Sequence, residues 1–262
     1  MKYCYIVAEG PHDVEFLAKF IKKLFGLSRI KERSLVDSFW DELIPKTFPV
    51  DDDLLKRVPV PLFIQNDQYS IALHSAIGIE KIVKTLEESL SVIDESKLFS
   101  IAVILDADDQ ENPLQRFQGL TQKLSHKLNS INLQFLQLGQ VISITNPRFG
   151  VFIIPDNHNP GTLETILIEC AEVNYPDLLK SARSYIDNFD KSQLEKSDLK
   201  EFNKPTGKIK AIISTISSIL KPGKAIQVSI QDNRWIDQNT LQLKNMLLLK
   251  KFIADLLDIK IS

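Results

Sequence analysis

Residues 3–26 read YCYIVAEGPHDVEFLAKFIKKLFG. The first six, YCYIVA, form an apolar run of the kind found in a strand buried on both faces. Val14, Phe16, Leu17, Phe20, Ile21, Leu24 and Phe25 then recur at helical spacing, which predicts a helix over 11–26. Pro11 suits its first turn and Gly26 its stop. Glu9 stands between the two elements, at the tip of the strand. It can simply place a charge near the helix N-terminus, where the dipole favours it. It can also meet carboxylates from elsewhere and hold a metal ion.

Strand and helix go on alternating. YSIALHSAIG (69–78) predicts a strand, and IEKIVKTLEESLSVID (79–94) an amphipathic helix with Ile79, Ile82, Val83, Leu86 and Leu90 on one face. LFSIAVILDADD (98–109) is the strongest buried strand and runs into an acidic cluster. NPLQRFQGLTQKLSHKL (112–128) reads as a helix. GQVISITNPRFGVFIIPDN (139–157) reads as a hairpin whose second arm ends in a carboxylate, and PGTLETILIECA (160–171) opens a helix. FPVDDDLLKRVPVPLF holds three prolines and an acidic triplet, so residues 28–68 read as a loop-rich insertion. The expectation is an α/β unit over 1–175 with a mainly parallel sheet covered on both faces. A helical C-terminal segment over 176–262 packs on it, with helices at 176–187, 205–221 and 239–257.

The chain has 262 residues, 44% of them hydrophobic and 25% charged, as in an ordinary soluble globular protein. Its net charge of -2 carries no overall nucleic-acid signal. Residues 203–262 hold ten Lys/Arg and four Asp/Glu, against 22 and 30 in the remainder. An acidic body with a basic end section can place metal ligands and phosphate-binding groups on different segments, or merely present a solvated helical face. Cys4 and Cys170 sit in apolar stretches without metal-ligand spacing. With no signal-peptide pattern and no apolar run near the roughly 20 residues of a membrane span, a reduced, cytoplasmic protein without membrane contact is expected.

In sheets of this kind ligands bind beyond the carboxyl ends of the strands. Glu9 follows the first strand, Asp106, Asp108 and Asp109 the strand over 98–109, and Asp156 the strand VFIIP. Crowding carboxylates costs repulsion and raises their pKa values, and a divalent cation relieves that cost. Each also has an ordinary explanation. Asp13 is a first-turn residue of its helix, Asp108 or Asp109 can cap or turn the chain before NPLQ, and Glu164 lies in the first turn of a helix that Thr162 can cap.

IVAEGPHDVEFL together with AVILDADD resembles the Toprim domain, the fold shared by topoisomerases, bacterial primases, recombination mediators, small ribonucleases and OLD-type nucleases. That family shows a Glu after its first strand, usually followed by Gly, and an Asp-x-Asp after a later strand; here these fall on Glu9, Asp106 and Asp108. FIIPDNHNPGTLETIL and FNKPTGKIKAIIS are similar to segments of a group of small Toprim-related bacterial and archaeal proteins. The resemblance implies a Toprim-like, Rossmannoid mainly parallel sheet with Mg²⁺- or Mn²⁺-dependent chemistry on nucleic-acid phosphodiesters. Asp106 and Asp108 would hold the metal, with Glu9 a general acid/base or second ligand.

Asp156 is expected to add a metal ligand. Asp13, His12, Asp109 and Glu164 are expected to support the site, with His12 a candidate phosphate contact and His158 a phosphate or metal contact, although a His in a polar loop is commonly only solvated. Lys204, Lys208 and Lys210 line the start of a helix and could reach phosphates, although such lysines more commonly form a solvated helix face. No nucleophile elbow, Walker loop, zinc spacing or dinucleotide loop competes. Topoisomerase and primase actions are not expected, for want of a domain offering a nucleophilic tyrosine and of a zinc module. The leading expectation is a metal-dependent nuclease acting on nucleic acid. The rival is a non-catalytic module binding metal, nucleotide or protein. Homo-oligomerisation stays open.

Overall fold

The computed structural model describes residues 1–47, 52, 59–108, 112–127 and 133–260. Strand β1 (Lys2–Ala8) gives way to helix α1 (Pro11–Phe25) across Glu9 and Gly10 alone. The chain then forms β2 (Ser28–Arg29), β3 (Leu62–Gln65), β4 (Tyr69–Ser75), α2 (Ile82–Leu90), β5 (Leu98–Asp106), α3 (Pro113–Lys127), β6 (Val141–Ile142), β7 (Arg148–Ile154) and α4 (Leu163–Asn174). Helices α5 (Pro176–Asn188), α6 (Gly207–Leu220), α7 (Ile226–Asp232) and α8 (Lys244–Leu257) complete it.

The strands lie in the order β2-β3-β4-β1-β5-β7-β6. The central four, β4, β1, β5 and β7, are parallel, and the shorter β2, β3 and β6 pair antiparallel at the edges. β1 is flanked by β4 on one side and β5 on the other, so successive connections leave it in opposite directions. That arrangement opens a crevice at the carboxyl ends of the strands.

Each face of the sheet is covered. Along β1, Cys4, Ile6 and Ala8 point into one core and Tyr5 and Val7 into the other. Alternate residues bury on opposite sides of a strand, so a strand covered on both faces has no polar position; this is why YCYIVA lacks one. The first core is closed by α1 and by α4 to α8, through Phe16, Phe20, Ile166, Ile213, Ile230 and Phe252 among others. The second is closed by α2 and α3 with Trp40. The helical C-terminal section therefore shares its core with the sheet.

Three local expectations need correction. The strand expected over 69–78 ends at Ser75, because Ile77 and Gly78 take positive φ values of 54° and 113°. The loop-rich insertion contributes β2 and β3, and its Trp40 is fully buried with its indole N–H on Ser70 Oγ at 2.9 Å. β3 has only four residues and the prolines nearby hide it; residues 48–51 and 53–58 of the segment lie outside the described residues. The third is α7, which at seven residues is too short to show a period. The Lys19 ammonium on α1 donates to the carbonyls of Ile230 and Asn233 at its C-terminal end, satisfying acceptors that the helix leaves open.

Candidate functional site

The site begins with the two residues between β1 and α1. Gly10 is the extended N-cap of α1, and its amide donates to Oδ2 of Asp13 at 2.7 Å. This ties a buried carboxyl to the end of β1. Burial pushes the Asp13 carboxyl up to about 7; Glu9 and Glu164 push it the same way, against the Gly10 hydrogen bond and Lys210.

β5 runs beside β1, so Asp106 emerges next to Glu9. The Asp106 amide donates to Glu9 Oε2 at 3.4 Å. Asp106 Oδ1 accepts from the amide of Leu163 at 2.9 Å, the first residue of α4. A helix start has unpaired N–H groups and a positive dipole end, so the carboxylate is placed where both favour it. Burial still holds the Asp106 carboxyl well above its ordinary range, reinforced by Asp13, Glu9 and Glu164. Burial also raises Glu9; Asp108 adds to the rise, while Arg116, the Asp106 amide and Lys210 oppose it. Glu164, buried in the first turn of α4, accepts from Thr162 Oγ1 at 2.8 Å.

Glu9, His12, Asp13, Asp106, Glu164 and Lys210 line one cleft of about 240 Å³, with Ile77 and Gly78 at its edge. The Gly78 amide donates to the Glu9 carbonyl at 3.0 Å, which fixes that edge to the end of β1. Burial lowers the His12 pKa, and Lys210 adds to this against Glu164 and a bond to Gln227, which together favour the neutral imidazole.

The other expected site residues fall elsewhere. Asp108 does not line the cleft; its Oδ2 meets Arg116 Nη2 at 2.9 Å. Asp156 and His158 line a separate cavity along β6, β7 and α8. The expected convergence of Asp156 is absent because its own turn occupies the carboxylate. Its Oδ1 accepts from the amides of His158 and Asn159, and its Oδ2 from the Asn159 side chain at 2.6 Å. Lys204 pairs with Glu201 at 2.5 Å and Lys208 with Asp187 at 2.6 Å, whereas Lys210 reaches the cleft. Asp109 lies outside the described residues.

Arg116 was not anticipated. Its Nη2 is 3.6 Å from Glu9 Oε2 as well as close to Asp108. The signal was an arginine four residues before Leu120 and eight before Leu124, on the stripe that α3 buries. Charged residues rarely occupy such a stripe unless paired. A shallow groove of about 790 Å³ between α2 and α3 is larger than the cleft. Lys84 pairs with Glu88 and Lys127 with Glu87 along it, and among the described residues none of its carboxylates belongs to a group of three or more arranged to hold a metal ion.

Whether this site suits a divalent cation can be judged from its donors. They are carboxylate oxygens, the chemistry of hard cations, and Mg²⁺ commonly takes only one or two of them while keeping waters. Glu9 and Asp106 meet that requirement. A closed cage is not present: among the described residues no group of three or more His, Cys, Asp or Glu is arranged to hold a metal ion. Arg116 engages Asp108, and backbone amides engage Asp13 and Asp106.

Fold and site together define an α/β protein with an acidic, partly buried cleft at the carboxyl edge of its parallel strands. The chain belongs to the family described as "Protein of unknown function (DUF3226)", whose model matches residues 4–256. It is also similar to the crystal structure of hypothetical protein PH0156 from Pyrococcus horikoshii OT3. The two share 15% identity and a TM-score of 0.51, over 98% of this chain and 95% of that one. At that identity the likeness concerns the fold alone. No curated protein matches. No helix among the described residues is long and apolar enough to cross a membrane.

Proposed function

We propose that the chain is a Toprim-like, Mg²⁺- or Mn²⁺-dependent hydrolase of nucleic-acid phosphodiesters. The observation that carries this reading is the meeting of Glu9 and Asp106 in one cleft, from the ends of neighbouring parallel strands, with Asp13 and Glu164 beside them. Burial and mutual repulsion raise the pKa values of Glu9, Asp13 and Asp106. A cation would reverse both effects.

Glu9 and Asp106 would hold the cation. When bound, it supplies charge neutralisation for a phosphate undergoing displacement. The chain's own groups do the rest. Where Glu9 does not itself ligate the cation, its place on the cleft wall suits it to take a proton from the attacking water or return one to the leaving alcohol. Asp13 steadies the Gly10 turn. Lys210 and His12 offer donors to phosphate oxygens.

The deciding experiment incubates the protein with single- and double-stranded DNA and RNA, with Mg²⁺ or Mn²⁺, beside Asp106→Ala. Cleavage by the wild type and none by the variant is expected. Absence of cleavage in every combination would overturn the hydrolase. A second reading, a binding module without catalysis, draws support from Arg116, which already neutralises part of the acidic cluster.

The lysines give a separate prediction. If nucleic acid binds at the cleft, Lys210→Gln should weaken binding and lower the slope of log K against log salt by about one. Lys204→Gln and Lys208→Gln should change neither, since those side chains serve ion pairs on the helix surface. Titrations at two salt concentrations check this. Equal effects of all three substitutions would place binding away from the cleft.

A further inference from the structure

Asp106-Ala107-Asp108 sends its two carboxylates in different directions. Asp106 faces the cleft, while Asp108 contacts Arg116. The Arg116 side chain is only 6% exposed and its Nη2 lies between Glu9 and Asp108, at 3.6 and 2.9 Å. The backbone of the segment is pinned. The Ala107 amide donates to the Ile154 carbonyl, and the Gly161 amide to the Asp108 carbonyl. Asp108 itself has φ +58°, a left-handed conformation that Asp tolerates better than most residues. With the backbone fixed on both sides, the freedom left to Asp108 is the rotamer of its side chain.

We propose that Arg116 is a positioning residue that stands in for the cation, neutralising Glu9 and holding Asp108 out of the cleft until a divalent cation competes for these carboxylates. This role rests on the cation-dependent reading given above. A guanidinium does not lose its proton in a protein, so near neutral pH no deprotonation of Arg116 releases Asp108. A competing cation would give Asp108 another charged partner. The coupling is reciprocal: whatever Arg116 gains from the two carboxylates, cation binding forfeits. Arg116 therefore lowers cation affinity, and the metal-free protein avoids an unneutralised cluster. An arginine that merely braced α3 against the strand ends would have the opposite influence, because its loss would loosen the site and weaken cation binding.

That difference in sign is the test. Mn²⁺ alone is titrated by calorimetry into the full chain as wild type, Arg116→Gln and Arg116→Lys, each first checked for a cooperative thermal transition. Arg116→Gln is expected to bind Mn²⁺ about fivefold tighter or more. Arg116→Lys should fall between the two, since lysine keeps the charge but lacks the planar fork that reaches both carboxylates. Binding by Arg116→Gln where the wild type shows none would support the role equally. Affinity equal to or below wild type in the variants overturns the role of Arg116 and leaves the cation site standing. If Arg116→Gln does not fold, Arg116→Lys decides by the same criterion. No Mn²⁺ binding by any of the three overturns the cation-dependent reading, and the role of Arg116 with it.

Discussion

Replacing Asp13 with asparagine is expected to stabilise the metal-free protein at pH 8 by up to about 4 kcal/mol and to leave its stability at pH 4 nearly unchanged. The reason is linkage. Asp13 is 6% exposed, and its pKa is raised from 3.8 to about 7, by burial first and then by Glu9 and Glu164. Between those values the folded state keeps a proton that the unfolded state has lost. Wild-type stability therefore falls as pH climbs from about 4 to about 7 and loses nothing further above that. Below pH 4 both states are protonated and the penalty vanishes. The amide of Asp13→Asn cannot ionise, yet its oxygen can still accept from the Gly10 N–H, so the turn before α1 is kept. Asp106 titrates in the same direction and is raised in part by Asp13, so the substitution relieves it too. Urea denaturation in EDTA at pH 4, 6 and 8 gives the difference directly. A difference that does not change with pH would mean that Asp13 is ionised and well solvated in the folded state, and the crowded cleft would lose its main electrostatic support.

The same residue shows why part of the site was legible and part was not. Asp13 reads as a first-turn residue of α1, and it is one, since it receives the N-cap amide. Its second role needs Glu164 and Lys210, which lie far along the chain and meet it only in the fold. Glu9 and Asp106 could be brought together from sequence, because two buried strands of a parallel sheet must deliver their ends to one edge. Asp156 obeys that rule for its backbone and departs from it in its side chain. His158 and Asn159 offer amides to its carboxylate, and such local bonds compete well with distant ligands. The three lysines share a spacing but not a surroundings: Glu201 and Asp187 take the first two. Trp40 and β3 were hidden because prolines break up the segment that carries them, while tertiary packing against β4 holds it in place.

Lys210 also ties the cleft to the stability of the helical section. It projects from the first turns of α6, whose Ile212, Ile213 and Ile216 are buried in the core that faces the sheet. The cleft thus has acidic walls from the strand-bearing part of the chain and a basic residue from the helices after 175. Its geometry holds only while those helices stay docked.

Phe252→Ala is the substitution expected to test that docking most severely, at a cost of about 3–5 kcal/mol. Phe252 is 1% exposed on α8, and its ring centroid is 5.3 Å from that of Phe152 on β7. Gly150 makes the close approach feasible, since a Cβ there would lie 2.8 Å from the Phe252 ring. Around this contact the end of α8 is tied to the sheet by polar groups. The Tyr69 hydroxyl donates to the Leu257 carbonyl at 2.7 Å, and Arg148 donates to the Asp255 carbonyl at 2.9 Å. Removing the ring leaves a cavity between elements that these bonds hold in register, so the surroundings have little room to collapse, and the cost falls in the upper part of the range for such truncations. Because the core on this face runs without a break from β1 to α8, the variant should still unfold in one transition at a lower denaturant midpoint, with near- and far-ultraviolet circular dichroism coincident. A split transition would show that the helices after 175 unfold on their own, and a cost below about 1 kcal/mol would show that the Phe252 contact does not hold them to the sheet. In the single-transition case, wild-type cation binding and Lys210-dependent binding should be lost together at the midpoint, because the acidic and basic walls of the cleft depend on the same core.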